Sequence, residues 1–349
     1  MAKVTSRVAF FRCLCAMARD TINKNTGEEL QYMRYVRGFT FLIGGRECLQ
    51  SITAEQMLGS LAEMKRQLHT DTVILAFQAL MENAHSEEID WKSPDTPPDS
   101  LLEQIILGAE RMGLRVFLKP MVNCRNGVWR GYISFLEPDV ICEPKWGGWF
   151  QNYESFMVHY ADLAERTHCE LLLVGCEMVM AQHREQDWRK LIATVRNHFH
   201  GLLSLNVDKY QEDQISYWDA LDVISSSGYY PTGSWSAELA RIQKVVGKYR
   251  KPFFFAECGC PCRRGSEKRP NDWTTKEPFD QDTQTRYYEE MFEAGREKSW
   301  IGGYAGWAWR CDTGEKIADE TDDYGVAGRD AAEVIRSFYD KIEMGAIYG

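Results

Sequence analysis

Leu171-Leu172-Leu173-Val174-Gly175-Cys176-Glu177 is an apolar run that ends in a small residue and then a carboxylate. Its length and lack of charge suit a strand buried on both faces, as in a parallel sheet wrapped by helices. A glutamate in the middle of such a strand would be costly to bury without a partner, so its cheaper place is the strand end, facing a pocket. Pro252-Phe253-Phe254-Phe255-Ala256-Glu257 repeats the grammar: apolar run, small residue, carboxylate.

Working outward, short apolar runs alternate with longer amphipathic ones from about residue 38 to the end, the pattern of successive βα units. Strands are expected at Gly38–Ile43, Thr72–Ala79, Arg115–Val122, Glu170–Val174, Leu202–Val207, Val223–Gly228, Pro252–Glu257 and Gly302–Trp307. Helices are expected near 53–68, 100–112, 152–167, 187–199, 236–249, 282–297 and 330–343, with the connection near 210–220 the weakest. The clearest helix start is Thr53, with Gln56 as its capping-box partner and Met57, Leu61, Met64 and Leu68 on one face. This order predicts an α/β protein: a single (β/α)8 barrel over residues 38–349, preceded by a helical leader over 1–37 packed on it. Long loops at 82–99, 123–150 and 258–281 all follow strands, on the face where such barrels build their sites.

Composition narrows the function. The 349 residues are 44% hydrophobic and 26% charged, enough apolar side chain for a large core. A net charge of −10 repels phosphate backbones, so nucleic acid is not an expected partner. Aromatic residues reach 12%; their flat faces fill cores and also suit the apolar face of a sugar ring. No run is long and apolar enough for a membrane span, and Arg12 interrupts the apolar stretch Val8–Phe11 that a secretory signal would need. Eleven scattered cysteines fit reduced thiols, so the expected compartment is the cytoplasm. Cys258, Cys260 and Cys262 have no second cluster at ligand spacing and read as a tight loop, so no metal is expected. No phosphate-binding loop, dinucleotide fingerprint or serine-nucleophile elbow appears, so no cofactor is expected either.

Two strand-end glutamates across one pocket are what glycoside hydrolysis requires, one to protonate the leaving oxygen and one to attack or to activate water. Either alone reads more readily as half of a structural ion pair. At matching positions with aromatic strand ends around them, Glu177 and Glu257 are the candidate catalytic pair.

The ordered set Gly113–Asn123, Trp129-Arg130-Gly131, Tyr160–Glu165, Gly175-Cys176-Glu177, Tyr217-Trp218-Asp219, Gly228-Tyr229-Tyr230-Pro231, Lys251-Pro252-Phe253 and Trp307-Ala308-Trp309 resembles glycoside hydrolase family 113, a β-mannanase family. The resemblance implies a retaining hydrolase of β-mannosidic linkages in short oligosaccharides, with Glu177 as acid/base and Glu257 as nucleophile. It also implies that Tyr229 bonds the nucleophile, Trp309 floors the sugar subsite, and Lys119 and Asn123 contact sugar hydroxyls. The chain departs from the family pattern at Met121 and Asn123, where His and Asp are usual, and Cys176 stands where many members of the wider clan carry Asn. These departures keep an alternative open: a weak or differently specific sugar-binding barrel, acting on a xyloside or glucoside.

Overall fold

The computed structural model describes residues 33–137, 140–313 and 323–344. Eight parallel strands close into a barrel: β1 Val36–Leu42, β2 Thr72–Met81, β3 Arg115–Cys124, β4 Leu171–Cys176, β5 Leu202–Val207, β6 Val223–Ser227, β7 Phe253–Cys258 and β8 Ile301–Arg310. Each strand pairs with its sequence neighbours, and β1 pairs with β8 to seal the ring. All eight expected strands are present; most of the leader expected over 1–37 lies outside the described residues, and β1 already begins at Val36.

Helices α1 Ala54–Leu68, α2 Asp99–Arg111, α3 Glu143–Arg166, α4 Glu185–Arg196, α5 Trp235–Tyr249, α6 Gln281–Gly295 and α7 Asp330–Glu343 surround the strands. At the start of α1, Thr53 and Gln56 form the reciprocal capping box, and Met57, Leu61, Met64 and Leu68 are buried. Every residue of β4 is buried, as expected for a strand with the barrel interior on one face and helices on the other. Gly175 is required by that packing: a Cβ there would stand 2.7 Å from Leu205 and 2.8 Å from the Trp188 ring of α4.

Helix α3 departs from the sequence expectation, and the connection near 210–220, expected as the weakest, follows it. Helix α3 starts at Glu143 rather than near 152, so the end of the loop expected over 123–150 is helical. Pro144, Gly147 and Gly148 disguise the start, yet Pro is favoured in a first turn, and Trp146, Trp149 and Phe150 are buried against neighbouring aromatics. The fifth connection has no α-helix, only the 3-10 turns Glu212–Gln214 and Trp218–Ala220. Glu212, fully buried, holds that connection in place: it accepts from Ser226 Oγ at 2.5 Å, from the Tyr230 hydroxyl, and from Arg241 of α5 at 2.7 Å.

Removing one partner of a buried charge network strands the others without water or acceptor. Glu212→Ala is expected to cost about 3 kcal/mol of stability, against about 1 kcal/mol for loss of the exposed Thr53 cap in Thr53→Ala. Urea denaturation of both variants checks the order; equal losses would mean that Glu212 does not anchor the fifth connection.

Candidate active site

Both candidate glutamates stand where the barrel ladder is irregular. On β4 the pairing with β5 slips between Leu173 and Cys176, and Glu177, the next residue, has a φ of 50°, a left-handed conformation that side chains other than glycine seldom adopt. Its backbone N–H is held by the Asn206 carbonyl at 2.7 Å. On β7 the register slips between Phe255 and Glu257 relative to β6. Such irregularities re-aim a side chain at the end of a strand, here turning both carboxylates inward, 7% and 2% exposed respectively.

Glu257 is bonded on both oxygens. Lys119 of β3 forms an ion pair with Oε1, the Cys176 thiol donates to the same oxygen at 3.5 Å, and the Tyr229 hydroxyl donates to Oε2 at 2.9 Å. Lys119 also donates to Asn206 Oδ1 at 2.7 Å, and Asn206 donates to Ser227 Oγ at 3.0 Å. Ser227 in turn donates to Glu177 Oε1 at 2.7 Å, so the two carboxylates belong to one continuous hydrogen-bond network. On its other oxygen Glu177 accepts from Arg130 Nη2 at 3.0 Å and from Trp129 Nε1 at 3.4 Å.

The two sites differ electrostatically. Burial disfavours the charge of Glu257, but the Lys119 and Arg130 charges and the hydrogen bonds from Lys119 and Tyr229 outweigh it, leaving the carboxyl below its ordinary range. Glu257 is therefore held ionised. Burial pushes Cys176 up to about 12, so it remains a neutral thiol and a donor. Arg130 is buried yet remains charged: the carboxylates of Glu177 and Glu257 around it, with the Cys176 sulfur accepting from Nη2 at 3.3 Å, overcome the desolvation. Asp208, the residue after β5, is lifted to about 7 by its burial and then by the charge of Glu177. It adds a third titrating carboxyl at the edge of the site.

Of the residues singled out from the sequence, Glu177, Glu257, Tyr229, Lys119 and Asn123 are brought together and Trp309 is not. Trp309 is 1% exposed and its indole N–H donates to Ser60 of α1 at 2.9 Å, on the outside of the barrel. The cause is a register slip: Phe39 of β1 pairs with Gly306 but Phe41 with Trp309, which breaks the two-residue alternation that would put 307 and 309 on one face. Trp307 takes the inward place, its ring 5.3 Å from Lys119 Nζ and packed on Ala76, Met121 and Cys176.

Lys119 also differs from expectation: it is 0% exposed and spent on Glu257 and Asn206 rather than presented to a sugar. Asn123 is partly buried, accepting from Arg130 Nη1 at 2.7 Å and donating to Gln78 at 2.8 Å. The buried partners Arg130, Asn206 and Ser227 were not singled out individually by the sequence reading. Their signal was weak, since an Arg beside a Trp in a loop and polar residues within short strands carry no motif of their own.

The mouth beside Glu177 is aromatic. Tyr132 is 60% exposed and meets the Trp129 ring edge to face at 5.7 Å. To one side a cavity of about 670 Å³ is lined by Glu82, Glu87, Glu88, Asp90 and Arg125, separate from the carboxylate network. Cys258 and Cys260 are buried, their thiols donating to the carbonyls of Ala305 and Pro261. Among the described residues no group of His, Cys, Asp and Glu is arranged to hold a metal ion, and no helix is long and apolar enough to cross a membrane.

Comparison with known proteins agrees with this arrangement. The family profile for Glycoside Hydrolase Family 113 matches residues 40–329. A solved GH113 β-1,4-mannanase is 44% identical, superposes with a TM-score of 0.82, and is matched over 88% of this chain and 99% of its own. A complex structure of a GH113 β-1,4-mannanase gives 43% identity and a TM-score of 0.81 over 88% of this chain and 99% of that one. The GH113 β-mannanase AaManA from Alicyclobacillus acidocaldarius, in complex with ManMIm, gives 36% and 0.79 over 88% of this chain and 98% of that one. A search of curated protein sequences returns no match. With the profile spanning the barrel and these structures matched almost end to end, the chain is a glycoside hydrolase and belongs to glycoside hydrolase family 113.

Proposed function

We propose that this enzyme cleaves β-mannosidic linkages in short oligosaccharides by double displacement, with Glu257 as nucleophile and Glu177 as acid/base. The carrying observation is that Glu257 is held ionised by Lys119 and Tyr229 within the network that also positions Glu177. In the first step a Glu257 oxygen bonds to the anomeric carbon while Glu177 gives its proton to the departing glycosidic oxygen. Arg130 and Ser227 then face the Glu177 carboxylate so formed. In the second step Glu177 takes a proton from water, the water oxygen bonds to the anomeric carbon, and Glu257 leaves as a carboxylate to the donors already in place. Trp307 is the aromatic floor in this reading, and Trp129 with Tyr132 flanks the leaving sugar.

The β-mannanase relatives support mannose as the sugar, and the free thiols among the described cysteines support a reducing compartment, the cytoplasm, where substrates are imported fragments. Aryl β-mannosides, β-glucosides and β-xylosides assayed side by side test the sugar. Turnover confined to the mannoside is expected, and preference for either of the others overturns the assignment. The products of mannohexaose cleavage then distinguish stepwise release of mannose from internal cuts.

The two glutamates are separated by azide rescue. Glu257→Ala opens the α face, and with an activated substrate azide is expected to give the α-glycosyl azide. Glu177→Ala still forms the glycosyl-enzyme, which azide intercepts to give the β-glycosyl azide. Each variant loses roughly 10²-fold or more on unactivated oligosaccharides; swapped anomers would reverse the roles.

Lys119→Met removes the charge that keeps Glu257 ionised. The active form has Glu257 deprotonated, so a carboxyl that protonates more readily loses activity at higher pH than before. The acid limb of the kcat/KM profile is expected to move toward higher pH, and an unmoved limb would show that Lys119 does not control the nucleophile.

A further inference from the structure

Outside the carboxylate network, two thiols meet across the seam of the barrel. Cys48 lies in the short helix Arg46–Ser51 that follows β1, and Cys311 is the first residue past β8. Their sulfurs are 3.1 Å apart although the residues are 263 positions apart in sequence. The backbone holds both against the seam. Cys311 N–H donates to the Leu42 carbonyl at 3.0 Å, and a Cβ at Gly44 would stand 2.7 Å from that of Cys48, so glycine there permits the approach.

The pair is asymmetric in a way that suits redox chemistry. Cys48 is half-buried and Cys311 buried beneath it. The hydrogen bond from Cys311 is the main cause that lowers Cys48 to about 7, against a smaller opposing effect of burial, while the same bond pushes Cys311 up. A thiolate-rich, reachable sulfur therefore sits on a resolving thiol. Closure to a disulfide requires the sulfurs to approach by about 1 Å, to roughly 2.05 Å. The helix carrying Cys48 has no buried residue and no side-chain cap at its start, so little packing opposes that shift.

We propose that Cys48 and Cys311 form an oxidisable pair in which a hydroperoxide makes a reversible cross-link stapling the helix after the barrel's first strand to the end of its last. The Cys48 thiolate attacks a peroxide oxygen; the S–O bond forms, the O–O bond breaks, and the departing oxygen is protonated to water or alcohol. The Cys311 sulfur then bonds to Cys48 Sγ, the S–O bond breaks, and the oxygen leaves as water with the proton from Cys311. Two thiols give up two electrons, the peroxide takes them, and atoms balance. The loop so closed spans nearly the whole barrel, the case in which a cross-link restricts the unfolded chain most. On the native side it fixes the end of β8 just beyond Trp307, so the oxidised enzyme has a stiffer catalytic face.

The test uses the full chain and needs no substrate, so it stands or falls apart from the glycosidase reading. Treatment with a small excess of hydrogen peroxide, alkylation and peptide mapping should recover a Cys48–Cys311 cross-linked peptide and the loss of two thiols. Tm should rise by about 5–10 °C, the scale expected for closing so long a loop, and dithiothreitol should reverse it. Cys48→Ser should abolish the cross-link and the Tm shift. Cys311→Ser, which keeps a hydroxyl donor beside Cys48 but removes the resolving thiol, should instead leave Cys48 as a sulfenic acid trapped by dimedone, with no Tm rise. Recovery of Cys48 joined to another cysteine, over-oxidation of Cys48 with Cys311 still free, or no thiol loss in wild type would each overturn the proposal.

Discussion

The buried ion pair between Lys119 and Glu257 is the constraint around which the centre of this barrel is arranged. Side chains 0% and 3% exposed carry opposite charges in the barrel interior, where each ion alone would be strongly disfavoured. Their mutual attraction offsets that cost only because the remaining lone pairs and protons are used. Tyr229 and Cys176 complete Glu257, and Asn206 Oδ1 accepts a second hydrogen bond from Lys119. The chain then continues through Ser227 to Glu177. The contacts that neutralise this buried charge are the same ones that hold the Glu257 carboxyl ionised.

The second carboxylate is held differently. Glu177 stands at the end of its strand on a left-handed backbone, nearer the mouth, with an arginine, an indole N–H and a hydroxyl around it. Arg130 and Trp129 can only donate to it, the Arg130 contact being itself an ion pair at 3.0 Å, whereas the Ser227 hydroxyl can donate or accept. Asp208, near neutrality in its titration, adds to the negative surroundings of Glu177. Strand irregularities at both glutamates and at Trp307 show where barrel regularity gives way to placement of side chains.

Around this centre the apolar neighbours decide shape more than charge. Met121, Ala76, Cys176 and Trp307 pack into one patch beside Lys119, so the wall where the family usually has an imidazole is here a thioether. Asn123, in place of an aspartate, is bonded by Arg130 and Gln78 and carries no charge of its own. The result is a site whose fixed charges cluster on the two glutamates and their cationic partners, beside a more apolar wall.

Periodicity and end signals, which depend on neighbours in the chain, were readable without coordinates. The eight strands, the Thr53 capping box and the two glutamates after apolar runs all follow from which residues adjoin which. The start of α3 was obscured because Pro144 and the paired glycines read locally as loop, whereas burial of Trp146 and Trp149 among distant aromatics makes that segment helical. Trp309 was expected inward and Trp307 was passed over, because a one-residue slip between β1 and β8 reverses which indole faces the pocket. Arg130, Asn206 and Ser227 likewise acquire meaning only as partners of residues far away in sequence. The amino-acid sequence by itself determined the barrel and the carboxylates at its mouth, since alternation and strand ends are local properties. Which charges pair, which aromatic faces inward and which thiols touch were decided only by tertiary structure, because register and burial arise when strands from opposite ends of the chain close the ring.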